Sequence, residues 1–526
     1  MSTRRSGVLI PLFSVVSSRS WGVGEFLDLP VFADWARSAG QAFVQVLPIL
    51  EIPDHETSPY SALTAMALDP IYISIRELEE FQALGGIERL TDEDRGALSA
   101  VQGAPQVQHH AVRTLKARWL RRAHEWFLHD EAGPQSARFA RFDAFTQREA
   151  WWLDDYALFR ALRGIHDHRA WWDWPEPLAR RHTAALARAR EELAVEIGYR
   201  KYVQWIAAEQ WDRARRAAAP VQVFGDVPFM IAADSPDVWT QQHEFRFDAT
   251  VGVPPDAFSE TGQDWGLPPW RWDVMAREDF SWMRRRARRS AALFDGFRLD
   301  HLVGLYRTFI RPIDSHTRPF FAPPDEAAQL ELGERLVNIY LESGAEIIAE
   351  DLGTVPDFVR ASLRRLGVPG FKVFRWERHW KAPEQPFVDP AEYDEISVAT
   401  TGTHDTEALA TWWETLPQED RDRVVSLPSV QRYLQESERA VPSAPGRFTQ
   451  EVDDAIIRAL LESKSRFTIF PMQDLFGWHD RINTPATVDE GNWTWRLPWH
   501  VDDLETLDEP RARAALLKDW TREAGR

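Results

Sequence analysis

Cysteine is absent from the 526 residues, which removes disulfides, thiolate-bound zinc and thiol nucleophiles together. It leaves the compartment open, because a chain without cysteine folds in either redox environment. No apolar stretch approaches the length of a membrane span. No Gly-rich phosphate loop or P-loop occurs, so nucleotide chemistry has no support, and there are no internal repeats. Basic residues are outnumbered 62 to 81, and the net charge of −19 argues against a nucleic-acid backbone as partner, since that contact needs a basic surface to release counterions. The acidic excess does not by itself point to a cationic substrate; most of it is expected to be solvated surface.

What is present is enough for a large core: 44% hydrophobic residues with an ordinary 27% charged. The length suits about three average domains or one barrel with insertions. Eight apolar runs bounded by turn residues, at 7–12, 42–49, 221–229, 294–300, 346–351, 370–376, 397–405 and 466–474, alternate with helical periodicity. Phe32, Trp35, Ala36 and Ala39 show helical spacing before Gly40, and Leu336, Ile339 and Tyr340 do so before Gly344. Thr354 and Pro356 open another helix that should end near Gly367. Buried strands alternating with helices pair in parallel, and the economical closure is an α/β (β/α)8 TIM barrel spanning 1–526. The spacing predicts a mainly helical subdomain inserted over 70–220 after the second strand, with Tyr199, Tyr202, Val203 and Ile206 on one helix face. A second insertion, 229–282, rich in Pro, Gly and aromatics, reads as long ordered loops over the C-terminal face, and the Arg-rich run 283–289 as the exposed side of a helix. Arg4 and Arg5 before an apolar run imitate an export signal, but Pro11 interrupts it and no small-x-small site follows; the run reads as the first barrel strand and the cytoplasm as the expected compartment.

Three of the eight runs carry the chemistry, each ending in an acid: Asp300, Glu350 with Asp351, and Asp405 after His404. Each delivers a carboxylate to the edge where barrel active sites are built. Any single Asp among so many acids is more often a helix cap or a loop residue, but three on strands four, five and seven read as one site. Side chains alternate along a strand, so Arg298 and Asp300 share a face, and the guanidinium should hold that carboxylate ionised, as a nucleophile requires. Glu350 follows Ile347, Ile348 and Ala349, an apolar setting that should raise its pKa and keep it protonated as a general acid. Asp405 beside His404 could grip hydroxyls. The same acids and His could instead bind Mg2+ or Mn2+, but Arg298 occupies the place a cation would take, so neither metal nor cofactor is expected. Pyranose rings offer apolar faces edged with hydroxyls. Tyr60, within Ser58-Pro59-Tyr60-Ser61, and the loop 254–266 supply rings and polar groups at the mouth. Most tryptophans must be packing residues, and Trp151, Trp152, Trp171, Trp172 and Trp174 are read that way.

These pieces resemble a known family. Trp21-Gly22-Val23-Gly24, Ser58-Pro59-Tyr60-Ser61, Asp154-Asp155-Tyr156 and Gly225-Asp226-Val227-Pro228 are followed by Asp234-Ser235-Pro236-Asp237 and Pro254-Pro255-Asp256. Ser259 to Gly266, Gly402-Thr403-His404-Asp405 and Asn492-Trp493-Thr494-Trp495-Arg496 complete the set. Over residues 7–498 the chain is similar to the 4-α-glucanotransferases of amylomaltase (disproportionating enzyme) type, glycoside hydrolase family 77, related to the α-amylase clan. The resemblance implies Asp300 as nucleophile, Glu350 as acid/base and Asp405 as transition-state stabiliser. It further implies that Arg298 holds the nucleophile, that His404 and Tyr60 contact the sugar at the cleavage subsite, and that Gln263 and Trp265 line the acceptor side. Asp226 matches an acid of the clan's third strand, and Asn483 lies in a segment like a substrate-contacting loop. The implied partners are maltooligosaccharides and α-1,4-glucans, without nucleic acid, membrane or cofactor. The chain departs from the pattern at Ala257, Leu267 and Trp270, in residues 52–56 before Ser58, and in Thr406-Glu407-Ala408. An α-amylase-like hydrolase using the same residues, and a catalytically silent glucan-binding protein, are the alternative readings.

Overall fold

The eight runs close on one another. The computed structural model describes residues 4–129, 136–255, 262–314, 316–436, 445–485, 487 and 489–526. Its strands are β1 (Arg5–Leu9), β2 (Phe43–Gln45), β3 (Gln222–Val227), β4 (Ala249–Val253), β5 (Gln263–Leu267), β6 (Gly296–Leu299), β7 (Thr308–Pro312), β8 (Phe320–Ala322), β9 (Glu346–Ala349), β10 (Gly370–Val373), β11 (Ser397–Thr400) and β12 (Phe467–Pro471). Eight of them form a closed barrel in the order β1-β12-β11-β10-β9-β6-β3-β2, with parallel pairing throughout. This is the (β/α)8 architecture, and each strand falls on one of the predicted runs, with β1 beginning two residues ahead of its own. The first run, with its export-signal look, is β1.

The barrel interior is filled rather than hollow. The rings of Phe43 and Phe224 stack with centroids 4.5 Å apart, and Phe467 meets each of them at 5.8 Å. Two glycines make room for them. A Cβ on Gly7 would stand 2.4 Å from the Phe43 ring, and one on Gly296 would stand 2.7 Å from the Phe224 ring, closer than atoms pack. Below these rings the Arg5 guanidinium lies 5.0 Å from the Phe467 centroid and pairs with Glu346 at the start of β9. That end of the barrel is therefore closed by packing, and the opposite end is left for chemistry.

The helix Leu29–Ser38 buries Phe32, Trp35 and Ala36, and Gly40 ends it with a left-handed φ of 74°. The helix Asp357–Leu366 stops at Gly367 in the same way, at φ 73°. Between β2 and β3 the long helices are Asp92–Gly103, His109–His129, Ala137–Ile165, Thr183–Glu192 and Ala194–Ala218. Tyr199, Tyr202, Val203 and Ile206 do line one buried face, packing Tyr202 and Trp205 against Phe127. Lys116 crosses into this layer fully buried, its Nζ 2.7 Å from Glu25 Oε1 and 2.7 and 2.8 Å from the carbonyls of Ile71 and Ile73.

Three expectations change. Residues 229–282 are not only loops: β4 and β5 pair antiparallel and join β7 and β8 in a second sheet, order β5-β4-β7-β8. Short strands flanked by Pro and Gly escape a search for long apolar runs, because half of their side chains face outward. The Arg run lies on the helix Ser281–Leu293, but Arg286 and Arg289 are buried. Arg286 reaches the carbonyls of Phe229 and Pro228, and Arg289 Nε that of Met66 at 2.9 Å. Free carbonyls of loop turns satisfy these interior guanidiniums, and such partners leave no trace in helical periodicity. Among the five tryptophans read as packing residues, Trp151 and Trp172 are 45% and 49% exposed; their neighbours Trp152 and Trp171 take the inward positions.

Candidate active site

Strand register brings the acids together. Leu299 on β6 pairs with Ala349 on β9, so the next residues, Asp300 and Glu350, leave adjacent strands at the same level. The backbone continues the ladder there: Glu350 N donates to the Leu299 carbonyl at 3.0 Å, and Leu302 N donates to the Glu350 carbonyl at 3.2 Å. On the other side of β6, Arg298 is the register partner of Asp226 on β3. Arg298 Nη1 donates to both Asp226 oxygens, at 3.0 and 2.9 Å, and lies 2.8 Å from Asp300 Oδ1. One buried guanidinium thus holds Asp300 in place and neutralises the acid beside it.

Glu350 is treated differently. Among the described residues its carboxylate pairs with no cation and instead accepts backbone N–H groups, from His301 to Oε2 at 2.8 Å and from Leu352 to Oε1 at 2.9 Å. Burial pushes its pKa up to about 7; Arg298 opposes the rise and Asp300 adds to it. The neighbouring Asp351 accepts Phe371 N at 2.7 Å and stitches the loop after β9 to β10. Of the two consecutive acids, only Glu350 takes part in this constellation.

The third acid arrives from β11. Asp405 Oδ2 lies 3.3 Å from His404 Nε2, and Asn483 Nδ2 donates to Oδ1 at 2.6 Å. Burial would raise this carboxyl, but the His404 imidazole, the Asn483 bond and Arg298 together hold it far below the usual carboxylate range. Asp226, by contrast, is raised to about 6, by burial first, with Arg298 pulling it down and Asp300 pushing it up. Tyr60 connects the two sides. Its hydroxyl donates to Asp226 Oδ2 at 2.8 Å, and its ring stacks on His404 with centroids 4.9 Å apart and planes 19° from parallel.

Gln263 and Trp265 sit on β5, and Trp265 Nε1 donates to Gln263 Oε1 at 3.2 Å. The Trp265 ring packs edge-on to His301, 4.8 Å between centroids, which brings β5 to the residue after Asp300. Gln263, Trp265, His301, Arg307 and Leu352 border a cavity of about 180 Å³. All ten residues singled out in the sequence therefore fall into one connected region. Asp256, Ala257 and Ser259 lie outside the described residues. Leu267 ends β5, and Trp270 is buried against Phe229 at 5.0 Å.

Three members of the region were not singled out. His301 has a left-handed φ of 42°, an arrangement that aims its N–H at Glu350; burial lowers its imidazole to about 4, so it is neutral. Trp493, at φ 63°, lies 5.7 Å from Tyr60 and 5.8 Å from His404 between ring centroids. Arg481 donates to the Asp405 carbonyl at 2.7 Å and to the Asn483 carbonyl at 2.6 Å. The available signals were a polar ring directly after Asp300 and the motif around Trp493; Arg481 gave none.

Chemically, the arrangement offers an ion-paired carboxylate, a second carboxyl that retains its proton near neutrality and a third that stays ionised, with flat rings alongside. Among the described residues, the group that gathers three metal-type ligands lies outside this region, at His243, Glu244 and Glu278.

The family model described as 4-alpha-glucanotransferase matches residues 10–502. A 4-alpha-glucanotransferase of Thermus thermophilus is 34% identical over 506 residues, covering 92% of this chain and 94% of its own. A chloroplastic/amyloplastic 4-alpha-glucanotransferase of Oryza sativa is 31% identical, covering 98% of this chain and 83% of its own. The solved amylomaltase from Streptococcus agalactiae, in complex with acarbose, superposes with a TM-score of 0.82 at 27% identity over 99% of each chain.

Proposed function

This chain belongs to the 4-alpha-glucanotransferase family, glycoside hydrolase family 77, and we propose that it moves α-1,4-glucan segments between maltooligosaccharides by a retaining, covalent route. Asp300 attacks the anomeric carbon of the donor while Glu350 gives its proton to the glycosidic oxygen, and the bond to the leaving glucan breaks. The donor segment is then held as a β-linked ester on Asp300. Glu350, now a carboxylate, takes the proton from the 4-hydroxyl of an incoming glucan, whose oxygen displaces Asp300 and restores the α-linkage. Two inversions give net retention.

The observation that supports this best is the contrast between the two carboxyls: Asp300 is ion-paired to Arg298 at 2.8 Å, whereas Glu350 has its pKa raised to about 7. Opposed environments on neighbouring strand ends are how a site divides nucleophile and acid roles. Asp405, held ionised, is suited to stabilise positive charge developing at the anomeric carbon and to bind hydroxyls. Tyr60 and Trp493 offer ring faces for the sugar. The S. agalactiae relative was solved with acarbose, and we take an oligosaccharide of that kind as the ligand class here.

Incubation with maltotriose tests the reading. Transfer yields glucose and a ladder of longer maltooligosaccharides. Maltose and glucose with rising reducing ends would instead identify an α-amylase-like hydrolase, in which water takes the acceptor's place.

A further inference from the structure

The excursion that carries Gln263 and Trp265 has two stems, and an unusual acid sits between them. One stem is the turn Gln242–Glu244, the other the helix Trp272–Arg277 followed by Glu278. Phe245 bridges antiparallel to Trp270, Arg271 N donates to the Glu244 carbonyl at 2.7 Å, and Arg246 N to the Pro269 carbonyl at 2.8 Å. Glu244 is completely buried, at 0% exposure, and both of its carboxylate oxygens are sealed from solvent without a hydrogen-bond partner. The buried acids of the catalytic region are not left so: Asp226 has Arg298 and Tyr60. Nearby Arg285 makes no hydrogen bond to Glu244. A carboxylate in that position is strongly penalised unless something else neutralises it.

His243 and Glu278 face it from the surface. His243 Nε2 lies 3.1 Å from Glu278 Oε1, and one ligand atom from each of His243, Glu244 and Glu278 lies within 4.8 Å of the others. We propose that these three side chains bind a divalent cation of the zinc class through His243 Nε2 and one oxygen from each glutamate, with water completing the shell. Three protein ligands plus water is a usual zinc arrangement, and an imidazole nitrogen selects zinc-like ions over Mg2+ or Ca2+. Ligand atoms around one zinc stand about 3.3 Å apart, given bond lengths of about 2.0–2.2 Å. The exposed His243 and Glu278 side chains, 51% and 45% accessible, are free to close that difference by rotation. A bound cation would clip the ascending stem to the descending one at the base of the β4–β5 hairpin, and so hold the strand that presents Trp265.

The test uses the full-length protein stripped with chelator, then titrated with ZnCl2 by calorimetry beside His243→Ala, Glu278→Gln and Glu244→Gln. The first two replace exposed side chains and leave the fold intact. The wild type should bind one zinc equivalent more than each variant, over a common background from other histidines, and MgCl2 should not reproduce it. Thermal denaturation should show ZnCl2 raising Tm in the wild type and losing that shift in His243→Ala and Glu278→Gln. Equal stoichiometry in wild type and Glu244→Gln would overturn the proposal and leave Glu244 as a buried acid that keeps its proton. An equal response to MgCl2 would also overturn it.

Discussion

Arg298 and Asp226 stand directly across from each other on β6 and β3, and the guanidinium that bonds both Asp226 oxygens also holds Asp300. Asp300 is thus positioned by a pair whose geometry is set by strand register. The Arg298–Asp226 pair is almost fully desolvated, with side chains 6% and 0% exposed, whereas Asp300 is 26% exposed. Removing one partner leaves an uncompensated interior charge.

If Asp300 is the nucleophile and Glu350 the acid/base, their variants fail differently. Asp300→Asn should lower kcat for maltotriose by about 10³-fold or more, and no added nucleophile should recover it. Glu350→Gln should be equally slow on maltotriose, yet still form the glycosyl-enzyme from an α-maltosyl fluoride, whose leaving group needs no proton. Azide requires no general base and should then release an α-glycosyl azide. Recovery of a β-azide would show direct displacement and exclude the covalent route.

The pH profile follows from the raised carboxyl. As the proposed general acid, Glu350 must be protonated to begin the reaction, and burial raises its pKa to about 7. It is therefore in the productive form below that value and loses its proton above it. kcat/KM for maltotriose should fall about tenfold per pH unit on the alkaline side. The same measurement with the fluoride donor should show a flatter alkaline limb. Identical limbs for both donors would assign the titration to another group.

Tyr60 combines a hydroxyl bonded to Asp226 with a ring stacked on His404, and substitution separates these parts. Tyr60→Phe keeps the ring and removes one hydrogen bond, a change of about tenfold in kcat/KM. Tyr60→Ala removes the proposed sugar platform as well and should cost about a hundredfold, much of it in KM. Steady-state kinetics on a maltooligosaccharide series would show whether the ring or the hydroxyl dominates.

Stability is concentrated elsewhere. Lys116 and Glu25 form a buried ion pair, with side chains 1% and 4% exposed, between the His109–His129 helix and the segment following β1. Burial lowers the Lys116 pKa while Glu25 raises it. Lys116→Met should destabilise the fold by about 3–5 kcal/mol, because Glu25 keeps its burial and loses its cation. Denaturant unfolding measures this. Activity of the remaining folded fraction should be unchanged, which separates this residue from those at the barrel mouth.

The barrel strands were legible in the sequence because burial on both faces makes each parallel strand a continuous apolar run, and an acid at the end of such a run stands out. Asp300, Glu350 and Asp405 could be found that way, and so could the stop signals at Gly40 and Gly367. The second sheet, the buried Arg286 and Arg289 and the role of Arg481 could not, since they depend on partners with no fixed sequence spacing. Tyr60 bonds Asp226 across 166 positions and meets His404 across 344. Local pattern determined which elements form and which acids end them. Only closure of the ring, which brings all the strand ends to one edge, decided that Glu350 would rest on backbone N–H groups while Asp300 rested on a guanidinium. Register and burial act on neighbours in space, and that is where the two carboxyls acquired opposite environments.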